Sequence, residues 1–188
     1  MTAFTTEKID VEPWFDMELF MGVSQETRLG GDVMDRFMTL WKNWLPHLTV
    51  KGIDTGKIKY LLVALDESVE QDVDKAWEGS PSNAFLYNAL AQTMCMAAVH
   101  AVIPEVQDAG CAPAPKPTAT LREALEAEGI PYSNDKDPIL SRRYAVVTHY
   151  PFKGGCEICV PQSNCPKGQG QMEATSVVLP GYEHPQQM

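Results

Sequence analysis

The chain has 188 residues, 44% of them hydrophobic, which suits one domain with a real core and excludes a disordered chain. Its formal net charge of −10 repels a phosphate backbone, so nucleic acid is not an expected partner. No basic region precedes an apolar run at the N-terminus, and the longest apolar runs fall short of the roughly 20 residues of a bilayer span. A cytoplasmic protein without a membrane partner is therefore expected.

In chain order, Pro13-Trp14-Phe15 with Met17, Leu19, Phe20 and Met21 suggests a short helix covering the core, and Gly30-Gly31 closes that segment. Asp32 stands where an N-cap belongs. Val33, Phe37, Leu40, Trp41, Trp44 and Leu48 follow at steps of three and four, the period of an amphipathic helix that Pro46 ends or kinks. At that spacing Trp41 and Trp44 read as core. After the break at Asp54-Thr55-Gly56, a stripe of Ile58, Leu61, Leu62, Leu65, Val69, Val73 and Trp77 predicts one helix over 57–77. The run Lys57 to Leu65 alone also fits a buried strand. The opposite face, with Asp66, Glu67, Glu70, Asp72 and Asp74, reads as a solvated acidic surface.

Ser80 and Pro81 form a strong helix start, and the helix they open runs to Ile103, before Pro104. Its face of Ala84, Asn88, Ala91, Cys95, Ala98 and Val102 is made of small residues and invites close approach by a neighbour. Cys95 there reads as a small buried hydrophobe, and His100 as structural or exposed rather than a ligand. Alternating prolines in Cys111-Ala112-Pro113-Ala114-Pro115-Lys116-Pro117 favour an extended linker. Thr120 to Glu123 matches a capping box, and Gly129 stops the helix it opens. Arg143 to Tyr150 and Ala174 to Leu179 read as strands. The expected fold is α+β but mainly α: a bundle of about four helices with a small C-terminal β-hairpin carrying a Cys-rich loop. The domain reading is a helical domain over 1–110, a linker over 111–119 and a small α/β segment over 120–188.

The chemical signal lies in that loop. Cys156, Cys159 and Cys165 stand within ten residues, seven or more beyond His149. Five cysteines, an odd number, in a chain without a signal favour metal or thiol chemistry over disulfides. Thiolates are soft ligands that suit zinc or an iron–sulfur cluster. Either centre takes a fourth ligand, for which the candidates are His149, Cys111 and Cys95. Cys156-Glu157-Ile158-Cys159 is also a Cys-x-x-Cys pair able to cycle as a disulfide.

The spacing of Cys156, Cys159 and Cys165 resembles the iron–sulfur loop of the endonuclease III and adenine glycosylase family, where a further cysteine stands in place of His149. It is similar to the accessory cluster domain of some radical enzymes, whose fourth cysteine falls at Gln169 here, and to the cluster staple of RecB-type nucleases, whose fourth cysteine is distant, as Cys111 is. The resemblance covers fewer than about 20 residues, and it implies a [4Fe–4S] cluster without implying glycosylase or nuclease activity.

The functional expectation is a metal-binding protein holding a [4Fe–4S] cluster for electron transfer, sensing or an accessory redox role, with a redox or protein partner. A helical adaptor module with a structural zinc at the same cysteines is the alternative. A small-molecule-binding protein around Trp41, Trp44 and Trp77 is a third. A homo-oligomer is compatible with any of these. No nucleophile–base pair, phosphate loop or carboxylate pair at diagnostic spacing supports a reaction class.

Overall fold

The computed structural model describes residues 4–134, 139–154 and 156–165. The expected bundle with a C-terminal hairpin is not what forms. Among the described residues, six helices pack about a four-stranded antiparallel sheet whose strands are spread through the chain. The strands are β1 (Thr5–Lys8), β2 (Leu48–Asp54), β3 (Lys59–Leu65) and β4 (Ala145–His149), ordered β1-β2-β3-β4. The strand expected over Ala174 to Leu179 lies outside the described residues.

The correction turns on Asp66. Residues 57–77 were expected to form one helix, but β3 stops at Leu65 and α3 (Glu67–Gly79) starts afresh. Asp66 caps α3 by accepting from the Ser68 N–H, and its own N–H donates to the His47 carbonyl at 3.1 Å. The run Tyr60 to Leu65 is apolar throughout because both faces of β3 are covered. Leu61, Val63 and Leu65 face the larger core, and Tyr60, Leu62 and Ala64 face a smaller one. A continuous apolar run carries matches to the helical period by chance.

The larger core is built by α1 (Met17–Ser24), α2 (Gly31–Trp44), α3 and α4 (Pro81–Val102). Gly30, not Asp32, caps α2, and Asp32 lies in its first turn. Trp41 and Trp44 are core residues with satisfied indoles, donating to the Pro13 carbonyl (3.2 Å) and the Asp72 carboxylate (2.9 Å). Helix α4 begins at the Ser80 cap and Pro81, as the sequence predicts. It is long and apolar enough to cross a membrane, yet ten of its residues are buried within the fold. Its small-residue face approaches the sheet, where the Cys95 thiol donates to the Tyr144 carbonyl at 3.5 Å.

The short α5 (Glu105–Ala109) leads into the proline-rich segment, and α6 (Ala119–Ala127) then covers the other sheet face with Leu121, Ala124 and Leu125. Thr118 is its cap, two residues before the predicted one. Gly129 ends it at a positive φ of 73°, which a side chain would oppose. Lys51 of β2 pairs with Glu128 beside α6. The acidic face of α3 is not merely solvated. Glu70 accepts from the Arg143 backbone at 2.9 Å, and Asp74 grips the Arg143 guanidinium at 2.7 and 3.2 Å, fastening the entry to β4.

Candidate metal centre

Strand β4 delivers the chain to the cysteines. Beyond His149, Phe152 packs against the larger core. Gly154 then passes so close to that ring that a Cβ would meet Phe152 Cε1 at 2.8 Å. A side chain there would push the Phe152 ring aside, so the chain folds back closely over its anchor.

The cysteine segment is a series of tight turns. Cys159 N–H donates to Cys156 O (3.1 Å), Gln162 N–H to Cys159 O (3.2 Å) and Cys165 N–H to Gln162 O (3.4 Å). Two short 3₁₀ turns, Cys156–Ile158 and Val160–Asn164, meet at an extended Cys159. Turns of this kind bring residues three apart to the same side. The segment therefore has local order of its own.

The proline-rich segment runs beside it. Thr148, fully buried on β4, donates to the Pro113 carbonyl at 2.9 Å. Val160 N–H donates to the Ala114 carbonyl at 3.0 Å. These bonds bring Cys111, 45 residues before Cys156 in sequence, into the same neighbourhood. Burial raises the Cys159 thiol above its ordinary pKa. The Ala114 backbone opposes that rise, and the thiols of Cys111, Cys165 and Cys156 add to it. The thiols of Cys111, Cys156 and Cys165 thus lie near enough to act on Cys159. All four cysteines are partly buried and none is in a disulfide.

The other two candidates have different surroundings. Cys95 is buried in the core, where loss of solvation pushes its thiol up to about 12 against the opposing Leu65 backbone. His149 is buried on the α6 side of the sheet, its ring 5.4 Å from that of Tyr60 and tilted 35° to it. Its Nδ1 has no hydrogen-bond partner among the described residues. Burial lowers its pKa, and Lys153 adds to that. His149 is not among the groups that act on Cys159.

Among the described residues no three His, Cys, Asp or Glu side chains are closed into a ready metal-binding group. The donor chemistry nonetheless fits a soft metal: four partly buried thiols stand on two segments tied by a backbone hydrogen bond.

Two features escaped the sequence reading. His47, Asp66 and Ser68 meet at the start of α3, with His47 Nδ1 2.6 Å from Asp66 and 3.2 Å from Ser68. Both contacts use the same ring nitrogen, so this is a capping cluster rather than a serine–histidine relay, which needs opposite nitrogens. The other is Tyr132, whose buried hydroxyl has no partner among the described residues. A lone tyrosine in a turn-rich loop gives no signal in sequence. No protein-family model, curated protein or solved structure matches the chain.

Proposed function

We propose that the protein is an iron–sulfur protein holding a [4Fe–4S] cluster on Cys111, Cys156, Cys159 and Cys165, and serving as an electron carrier or redox sensor. The observation that supports this reading is the hydrogen bond from the Val160 N–H to the Ala114 carbonyl, which ties the triplet's segment to the one that carries Cys111. Four cysteine thiolates are the ordinary ligand set of such a cluster, which supplies one-electron redox chemistry when bound. The chain's own contribution is to position the sulfurs. Val160 and Ala114 lock the two ligand-bearing segments together. Phe152 and Gly154 fix the entry to the loop.

The test is anaerobic purification with metal and sulfide analysis. The cluster requires about four iron and four sulfide per chain. About one zinc per chain and no iron would replace it with a structural tetrahedral site on the same thiols. Neither metal, after preparation without chelator or oxygen, would end the metal reading.

A further inference from the structure

In an antiparallel pair, alternate residues turn both backbone groups to the same neighbour. Leu65 N–H donates to Tyr144 O, and Tyr150 N–H to Lys59 O, so the even-numbered residues of β4 bond to β3. Ala145 and Val147 therefore present their N–H and C=O groups outward, along the edge of the sheet. That edge borders a cleft of about 840 Å³. Ala112, Ala114 and Pro115 of the proline-rich segment, Val160 and Pro161 of the cysteine segment, and Leu140 also line it. The volume suits a small organic ligand, and the walls are mainly apolar.

Its polar groups select the ligand further. Arg142 and Arg143 line the cleft, but their charges are answered by Glu70 and Asp74, so the site does not call for an anion. Tyr132 also lines it, and its hydroxyl is buried without a partner among the described residues. A buried donor left unpaired is costly, and an acceptor on a ligand relieves that cost. Burial holds this phenol protonated, with its pKa pushed up to about 12 against the opposing charge of Arg122, so at neutral pH it is a donor.

We infer that this cleft binds an uncharged, planar carbonyl compound of the quinone class, its ring between β4 and the proline-rich wall and one carbonyl accepting from Tyr132. The Tyr132 hydroxyl is shielded from solvent in the free protein, so its contact with the ligand requires the phenol to turn, and the outward N–H groups of Ala145 and Val147 are the further donors. The shape, neutrality and acceptor follow from the cleft alone. The choice of quinones among planar carbonyl compounds rests on the cluster reading, because Val160 and Pro161 stand between Cys159 and Cys165 in sequence and line the cleft.

The probe is 2,3-dimethyl-1,4-naphthoquinone, whose substituted ring positions resist thiol addition. Equilibrium dialysis against the full chain as purified should show saturable binding. Tyr132→Phe should weaken it about tenfold, the loss of one hydrogen bond to a buried group. Ala114→Trp, which fills the cleft, should abolish it, with thermal unfolding of both variants checked against the parent. If 2,3-dimethylnaphthalene binds as tightly, recognition of the carbonyl is overturned. If the quinone is not retained, or is retained equally by Ala114→Trp, the site is overturned. Iron analysis of the same sample separates the two claims. Retention that depends on Tyr132 in iron-free protein leaves the cleft and ends the cluster. Iron without retention does the reverse.

Discussion

The backbone N–H of Val160 donates to the carbonyl of Ala114 at 3.0 Å, across 46 residues of sequence. One bond thus ties the cysteine segment to the proline-rich segment that carries Cys111. Val160→Pro removes the donor without changing a thiol. It is expected to cost about 1 kcal/mol locally and to speed loss of metal to a chelator, measured as the rate of iron or zinc release.

The same neighbourhood ranks the fourth ligand. Cys111→Ala is expected to strip most of the metal, while His149→Ala leaves the metal content unchanged. Metal per chain after anaerobic purification reads both. Retention by Cys111→Ala together with loss in His149→Ala would reverse the assignment.

Cys95 should be chemically silent in the folded protein. With its thiol pushed up to about 12, roughly one molecule in ten thousand carries the reactive thiolate at pH 8. Iodoacetamide added to metal-free native protein should therefore label the four partly buried cysteines and reach Cys95 only after denaturation. Mass spectrometry of the labelled peptides decides this.

His100 gives a pH dependence whose sign is fixed by burial. Burial lowers its pKa from 6.5, and the neighbouring Asp16 opposes the shift only in part. The unfolded chain therefore takes up this proton at a higher pH than the folded one. Stability is undiminished above about pH 6.5 and falls as the pH drops through that value, until the folded histidine also protonates. His100→Gln should flatten the melting temperature between pH 7 and 5.5, leaving the carboxylate-driven fall at lower pH intact.

At the junction of β3 and α3, Asp66 caps the helix and holds His47. Asp66→Ala is expected to cost about 1 kcal/mol, lowering the melting temperature by about 3 °C. Calorimetry checks it.

Much of the helical part was legible because its signals are local. Ser80 and Pro81 announce α4, Gly129 ends α6, and the spacing of Phe37, Trp41 and Trp44 gives α2 its buried face. The sheet was not, because its pairings join distant segments. In β2 the buried residues Val50 and Ile53 are three apart, with Gly52 between them, so the alternation of a half-buried strand is blurred. In β3 the alternation is absent, since helices cover both faces. The loop triplet could be read from spacing alone. That Cys111 joins it depends on Thr148 and Val160 holding Pro113 and Ala114, contacts that leave no local pattern. Tyr132 became visible only when its burial and its lack of a partner were seen together.

The prolines facing β4 have one more consequence. Pro113 and Pro115 are buried there and have no N–H to offer a neighbouring strand. The chain that passes nearest the sheet margin therefore cannot zip onto it, and it also stands in the way of a foreign polypeptide seeking the same backbone groups. An acidic protein with a bare β margin would otherwise risk stacking copy upon copy into fibres. Here the margin is kept solitary by residues that cannot take part in such growth.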